Sequence, residues 1–452
     1  MSLSSLFNTA RQSLLASQAA TQATSQNVAN VETPGYSRRS VRLQALPATR
    51  GGLVIRSMPS AGGGVAVEAF ERSRSEILDQ AVRRGRSGSS GAGEGAALLT
   101  GLEGQLAADG GDALLGAVGG FFDAWADVAA SPTDGGSRDA LLASAGRLAQ
   151  TLRTADDRVA RYGAAVQDDL AATVERANVL FAEVAALNES VATARAQGAD
   201  NADALDRRDL LLDELSGLVP IGVRPQPGGA VTVTVDGMVA VQDREARPLR
   251  LALPPDVPTP TVSASGGPRP LRLDAVEGGA LGAQLHLLGT ALPDARAGLD
   301  ALAADVVARV NAAHAGGEGL DGASGRSFFD PAGVTAASMA LSADVADPDH
   351  VAAGTGGPGD GSVAAAIAGL AERAGGQATR TLAGVGAQVR RASAAAEGNA
   401  AVTAQAEALR DGVSRVSLDE EMTNLIRYQQ SYAASARVLQ TAESLFDTLL
   451  AI

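Results

Sequence analysis

Three histidines are the first residues of this sequence to consider as catalytic or metal-binding groups, because imidazole can transfer protons and bind metals near neutral pH. His286, His314 and His350 lie in unrelated local contexts and form no HExxH or comparable ligand spacing. The chain has no cysteine, which excludes thiolate nucleophiles, cysteine metal sites and disulfides. We therefore interpret the three histidines as ordinary structural or surface residues.

A second candidate is a glycine pattern of the GxGxxG type, which in nucleotide-binding folds lets a loop approach a phosphate. Gly354, Gly356 and Gly359 fit this spacing, but no strand precedes them, and Pro358 interrupts the position at which a helix should begin. The pattern is more typical of a loop than of a phosphate-binding site.

A third candidate is a run of aspartates, Asp200, Asp203, Asp206 and Asp209, which lacks the turn glycine of a calcium loop. We interpret it as the solvated face and cap of a helix. No catalytic residue, cofactor or metal site is therefore predicted. The enzyme that we considered as an alternative, a wall hydrolase, would need a carboxylate or metal site that these residues do not supply.

The composition favours slim helical packing, since aromatic residues make up only 3% of the 452 residues, a length that predicts about two to four domains. The net charge is -14, although the first ninety residues hold eleven arginines against five acids. Aromatic side chains are too sparse there for a nucleic-acid surface. No apolar run of about eighteen residues predicts a membrane span, and the N-terminal residues do not resemble a cleaved signal peptide.

The two ends of the chain carry heptad patterns, which predict helices over 3–28 and from Ser417 to the end. Ser417 and Glu420 form a capping-box pattern at the start of the second helix. We expect the helices to pair as a coiled coil and to be ordered mainly once neighbouring copies cover them. The predicted assembly interface consists of Leu3, Phe7, Leu14, Val28, Met422, Leu425, Tyr432, Leu439, Phe446 and Leu450.

Between these ends the pattern predicts short strands at 40–68, including one at 53–55, and then a flexible Gly/Ser-rich connection at 85–95. A heptad over 138–196 predicts one long helix, with two stacked helices as the alternative because Gly146 and Gly163 interrupt it. Alternating residues predict a β-rich insert that ends with a strand at 271–273. Pro293 is expected to break the helices that follow, and a joint is expected near Ser417.

These patterns together predict a mainly α, elongated, multi-domain protein with paired terminal helices, a long helical-bundle rod domain and a small all-β insert. Residues 1–35 and 417–452 would form the terminal coiled-coil domain. Residues 36–218 and 279–416 would form the rod domain, and 219–278 the β-rich outer insert.

Two short motifs resemble a known family. Asn30, Thr33, Pro34, Gly35 and Tyr36 belong to an ANxxTPGYSR-like stretch, which resembles the signature of bacterial flagellar axial proteins, the rod, hook and hook-associated components. The C-terminal RYQQ stretch, with Arg427, Tyr428 and Gln429, is similar to the terminal helix of the hook-associated members. Stretches such as FFDAW at 121–125 and LDRRD at 205–209 agree with them.

The resemblance implies a structural role and no enzymatic one: a ring of subunits at the junction of hook and filament that permits filament assembly. Implied partners are other copies of the chain, hook protein, hook-associated protein 3 and a cytoplasmic export chaperone at the C-terminal region. The implied location is extracellular, in the flagellum, reached without a cleaved signal peptide. The alternatives are another axial protein of rod or hook, or a leaderless secreted coiled-coil effector or adhesin.

Overall fold

The computed structural model describes residues 3–46, 64–107, 113–252, 260–264 and 278–450. The prediction of a mainly α-helical, elongated fold is confirmed, since 69% of the chain is helical and the sheets are small and antiparallel. The predicted strands at 53–55 and 271–273 lie outside the described residues.

The two ends of the chain pack against each other. The first helix, α1 (Leu3–Ala29), contacts the last helix, α10 (Leu418–Leu450), along most of its length. Hydrogen bonds join Ser13 to Ser435 and Ser17 to Ser431, so the two helices run antiparallel. The following strands, β1 (Arg39–Ala45) and β2 (Val65–Arg72), form an antiparallel pair whose register shifts between Arg42 and Leu43.

The predicted flexible connection at 85–95 is wrong, because these residues lie within α2 (Glu76–Leu106). Glycine disfavours a helix locally, but here it permits close packing. A Cβ added to Gly85 would stand 3.2 Å from the Cα of Thr403 on α9 (Ala371–Ser414), and one on Gly91 would stand 3.0 Å from the backbone nitrogen of Gly279. Tertiary contact therefore overrides local propensity in this helix.

The long helix is continuous. After α3 (Ala113–Ala130), the carboxylate of Asp134 caps α4 (Gly135–Ala196) by accepting from the backbone N–H of Ser137. The 62 residues of α4 extend over about 93 Å. The prediction of one unbroken helix is confirmed, and the alternative of two stacked helices is wrong.

A β-rich segment follows α5 (Ala202–Leu218). Strands β3 (Ile221–Pro225), β4 (Val231–Val235), β5 (Met238–Gln242) and β6 (Glu245–Ala246) form one antiparallel sheet, and β7 (Leu249–Ala252) pairs with β8 (Thr261–Ala264). Asp236 and Gly237 both have positive φ, as a two-residue hairpin turn requires. Inward valines of β4 share a hydrophobic core with α4, α5 and the helix that follows this segment.

The predicted break at Pro293 is wrong. Helix α6 (Gly279–His286) continues through a π-helical turn, Leu287–Ala291, into α7 (Leu292–His314). Pro293 stands in the first turn of α7, where a missing N–H costs little. The π turn bonds the N–H of Leu292 to the carbonyl of Leu287, so the chain stays helical.

Residues 315–361 form loops with two short 3-10 turns, and they pack Phe328 and Phe329 against Phe121 and Trp125 of α3. The chain returns through α8 (Ser362–Ala368) and α9 (Ala371–Ser414). The joint predicted near Ser417 is present, since α9 ends at Ser414 and α10 begins at Leu418.

Candidate assembly interface

The contact face between α1 and α10 is built from small and polar side chains. On α10 the buried or half-buried positions Glu421, Tyr428, Ser435 and Ala442 follow each other at intervals of seven. On α1 the matching face is buried at Ala10, Ala16, Ser17, Ala20, Ala23 and Thr24. Side chains of this size let two helices approach closely, and the hydroxyl pairs Ser13–Ser435 (2.7 Å) and Ser17–Ser431 (3.2 Å) satisfy polar groups between them.

Several large apolar residues of the predicted interface lie outside this contact face. Met422 is 49% exposed and Phe446 55% exposed. Phe7 and Tyr432 are also exposed, whereas Leu14, Val28, Leu425 and Leu439 are half-buried. Leu3 and Leu450 lie in the terminal turns of the two helices. The pair formed within one chain thus leaves much of its apolar surface in contact with water.

Asn27 lies at the centre of the polar contacts between α1, β1 and α10. Its amide nitrogen donates to a carboxylate oxygen of Glu421 at 3.0 Å and to the carbonyl of Arg39 at 2.9 Å. Its amide oxygen accepts from the backbone N–H of Arg39 at 2.8 Å and from the hydroxyl of Tyr36 at 2.9 Å. All four hydrogen-bonding positions of the amide are therefore occupied.

The family motif forms the loop that leaves α1. Gly35 has φ +80°, a conformation that favours glycine, and a Cβ there would stand 3.3 Å from the Cβ of Leu210. The hydroxyl of Thr33 donates to the side chain of Asn30, and Pro34 lies between Thr33 and Gly35. The residues that follow connect this loop to the end of α9, since the N–H of Arg38 donates to the carbonyl of Ser414 at 2.9 Å.

Arg38 also binds the start of α10. Its guanidinium pairs with Glu421 at 2.8 Å and with Glu420 at 3.0 Å. The acidic first turn of α10 is therefore held by an arginine from the other end of the chain. Of the C-terminal motif residues, Tyr428 is half-buried, while Arg427 and Gln429 are exposed.

A buried network of arginines and aspartates supports this loop, and it corrects the interpretation of the aspartate run as solvated. Asp206 is buried and accepts from Ser37 at 2.6 Å and from Arg72 at 2.9 Å. Asp200 and Asp203 do lie at the surface. The helix α5 therefore turns Asp206 toward the motif loop and the β1–β2 pair.

Asp209 continues the network toward α2. It pairs with Arg72 at 2.5 Å and with Arg83 at 3.1 Å. Burial opposes ionisation of this carboxyl, but the charges of Arg74, Arg72 and Arg83 outweigh it and lower the pKa of Asp209. One turn further, Asp213 pairs with Arg83 at 3.1 Å and with Arg410 of α9 at 2.5 Å.

The spacing of Asp206, Asp209 and Asp213, which places them on one face of α5, was the sequence signal for this network. The sequence alone does not show that these aspartates form ion pairs, because their arginine partners come from distant segments. The network joins β2, α2, α5 and α9 beneath the motif loop. It therefore stabilises the region where α1 ends and α10 begins.

The histidines do not meet. His314 is buried, its Nδ1–H donates to the carbonyl of Arg326 at 2.8 Å, and its Nε2 accepts from the N–H of Ala352 at 2.9 Å. Burial lowers the pKa of this imidazole. His286 and His350 are exposed or half-exposed at other places. Among the described residues no group of three or more histidine, aspartate or glutamate side chains could hold a metal.

The glycines of the GxGxxG pattern lie in a loop. The carboxylate of Asp360 accepts from the N–H of Gly356 at 2.9 Å, which closes the loop on the protein's own acid. One described helix, α3, is long and apolar enough by composition to cross a membrane. Its Phe121, Phe122 and Trp125 are buried in the aromatic core, as in a core helix.

The fold and this surface define a mainly helical structural protein whose paired ends carry exposed apolar side chains. Comparison with known proteins identifies the family. A sequence profile described as the flagellar hook-associated protein FlgK helical domain matches residues 99–329, just over half of the chain. A second profile, described as the C-terminal part of flagellar basal body rod FlgEFG proteins, matches residues 413–452. The chain therefore belongs to the flagellar hook-associated protein FlgK family.

Relatives agree with this assignment. Flagellar hook-associated protein 1 of Salmonella typhimurium is 27% identical over 336 residues, which cover 72% of this chain and 59% of the relative. The protein of the same name from Bacillus subtilis is 26% identical over 495 residues, which cover 98% of this chain and 97% of the relative. This chain thus aligns with little more than half of the Salmonella protein and with nearly all of the Bacillus protein.

A solved structure is also similar. The flagellar hook junction protein FlgK from Burkholderia pseudomallei superimposes with a TM-score of 0.50 at 26% sequence identity, over 56% of this chain and 46% of that chain. The similarity therefore extends from sequence to the arrangement of the helices.

Proposed function

We propose that this protein is a structural component of the bacterial flagellum that forms the junction between hook and filament and permits filament assembly. The observation that carries the proposal is the α1–α10 pair, which leaves Met422, Tyr432 and Phe446 exposed. Exposed apolar side chains in such numbers favour association. The family and the names of the relatives supply the kind of assembly.

In this proposal the terminal helices, 1–35 and 417–452, form the inner part of a ring of copies. The helical part, 36–218 and 279–416, surrounds it, and the β-rich part, 219–278, faces outward. The apolar positions named above as the predicted interface contact neighbouring copies. The polar residues of the two motifs hold the ends in register.

The further partners are hook protein on one side, hook-associated protein 3 on the other and, before export, a cytoplasmic chaperone that binds the C-terminal region. The protein acts outside the cell, in the flagellum. It is not an enzyme.

Deletion of the gene tests the proposal. Cells without the protein should carry hooks without filaments and release flagellin, as electron microscopy and immunoblots of the medium would record. The variant Met422→Asp/Phe446→Asp should reproduce the defect, whereas Gln440→Asp, at an exposed polar position of the same helix, should restore filaments. Filaments of normal length on the deletion strain would reject the proposed function.

A second candidate, a rod or hook protein, is favoured by one observation, the match of 413–452 to the C-terminal part of basal body rod proteins. The same deletion separates the two functions. A rod or hook protein is needed before the hook is complete, so its loss would remove hooks as well as filaments.

A further inference from the structure

On one side of the α2–α9 pair, a groove begins at a cavity of about 390 Å³ between α2, α6 and α9. Gly91 and Gly95 line it from α2, and Arg391 and Ala395 line it from α9. Glycine and alanine make up half of its lining, so an occupant can approach the backbones of α2 and α9 closely at these positions.

Residues at heptad spacing on both helices continue the groove beyond this cavity. Ile77 and Arg84 lie two heptads and one heptad before Gly91 on α2, and Val402 lies one heptad after Ala395 on α9. Residues seven apart share a helix face. The helices run antiparallel, since Gly85 contacts Thr403 and Gly88 contacts Asn399. Both series therefore lead along the same side of the pair, toward the joint between α9 and α10.

Large apolar side chains stand exposed along this extension. Ile77 is 78% exposed, Val402 65% and Leu409, one heptad further, 53%. Within the described residues, Ile77, Val179 and Val334 are the only exposed large apolar residues outside α1, α10, the β1–β2 pair and α9. These exposed apolar side chains of α2 and α9 thus have no partner within the described part of the chain.

The charges of the groove have one sign. Arg84 donates to the carbonyl of Gln80, and within the described residues neither Arg84 nor Arg391 forms an ion pair. No carboxylate lines the cavity. Two acids of the same helices form ion pairs elsewhere, Asp79 with Arg74 and Glu407 with Arg86. The groove therefore suits a helix with apolar residues flanked by an acid.

We propose that this groove binds the first turns of α10 of a second copy of the chain. Leu418, Met422 and Ile426 are exposed there on the side of α10 away from α1, and exposed Asp419 belongs to the same face. The apolar side chains fit the extension between Ile77 and Val402, and the acid fits Arg84. This inference rests on the proposed function, because it assumes that copies assemble side by side.

The two surfaces differ, so the contact is heterologous: the groove of one copy takes the helix of the next. Such contacts continue from copy to copy and close into a ring when the rotation allows it. Within one copy, Glu421 is held by Asn27 and Arg38, which keeps α10 on α1 while its outer face remains available.

Disulfide trapping tests the contact directly, since the natural chain has no cysteine. In flagella isolated from cells that carry Val402→Cys/Met422→Cys, oxidation should produce a ladder at multiples of the chain mass. Val402 lies three turns before the end of α9, about 18 Å along the helix, which is too far for a bridge within one copy. The matched control is Val179→Cys/Met422→Cys, with a valine that is 40% exposed on α4.

A ladder in the first variant and none in the control supports the proposal. Equal yields in both, or a product whose mass indicates a different protein, overturn it. If the deletion strain builds filaments, the proposed function fails. If filaments require the protein but the Val402/Met422 ladder is absent, only the groove contact fails.

A charge exchange provides a second measurement that does not depend on cysteine geometry. In the trapping variant, Arg84→Asp or Asp419→Arg alone should lower the ladder yield about fivefold, as expected for the loss of one interfacial ion pair worth about 1 kcal/mol. Both changes together should restore it. Additive losses in the double variant would contradict the pairing of Arg84 with Asp419.

Discussion

The side chain of Asn27 donates a 3.0 Å hydrogen bond to the carboxylate of Glu421, a residue 394 positions later in the chain. Both side chains are almost fully buried. The same carboxylate pairs with Arg38 through its other oxygen at 2.8 Å. One acid at the start of the last helix therefore fixes the end of the first helix and the strand that follows it.

Removal of this acid should loosen the joint between the terminal coil and the rest of the protein. Glu421→Ala would leave one N–H of the buried Asn27 amide without an acceptor and Arg38 without its buried carboxylate, and we expect the free energy of unfolding to fall by about 2 to 3 kcal/mol. Denaturant unfolding of the purified chain measures this. The matched control is Glu420→Ala, whose side chain is 62% exposed beside the same arginine, with an expected loss below about 1 kcal/mol. Equal losses would contradict the role assigned to Glu421.

Two glycines of α2 should respond to alanine with opposite signs. Gly93 has no atom within 4 Å of an added Cβ, so Gly93→Ala should stabilise the helix by about 0.5 to 1 kcal/mol. Gly91→Ala would push a methyl group to 3.0 Å from the backbone of Gly279 and should destabilise the protein by about 1 to 3 kcal/mol. Thermal unfolding of the two variants tests the packing of α2, and stabilisation by both would show that α2 is not packed as described.

Stability should fall in mild acid because of His314. Its pKa is lowered in the folded protein, so the unfolded chain binds a proton first as the pH falls below the ordinary value of 6.5, and folding weakens from there downward. Protonated Nε2 could no longer accept from Ala352, and Arg138 and Arg326 would repel the new charge more than Asp344 attracts it.

Unfolding free energies measured between about pH 7 and 5 would test this linkage, with a slope of up to about 1.4 kcal/mol per pH unit from one such group. His314→Gln should reduce the slope, and His286→Gln, at an exposed position, should retain it. The single tryptophan, Trp125, lies with its ring 6.2 Å from that of His314 and reports the transition by fluorescence. An unchanged slope in His314→Gln would refute the assignment.

The terminal helices should exchange their amide hydrogens faster than α4 in the free protein. Their contact face holds alanine, serine and threonine, whereas α4 buries Leu148, Leu152, Phe181 and other large side chains on its face. Mass-spectrometric exchange should show slow exchange in α4 and faster exchange in α1 and α10, with protection of both in assembled flagella. Protection of the termini equal to that of α4 at low protein concentration would reject this prediction.

Local patterns predicted α1, α4 and α10, because helical periodicity acts over short distances. The same reasoning was wrong at 85–95 and at Pro293. There the outcome depended on the approach of α9 to Gly85 and on a π turn that places the proline at the start of α7.

By itself the sequence determined that both ends are amphipathic helices, that the middle is mainly helical and that the chain resembles a family of flagellar axial proteins. Only the tertiary structure decided which side of α10 meets α1. A heptad pattern shows where apolar residues recur, but the face with Ser435 and Ala442 allows the closer approach to α1, so Met422 and Phe446 remain exposed. The partners of Asp206, Asp209 and Glu421 were likewise decided in three dimensions, since each comes from a segment far away in the chain.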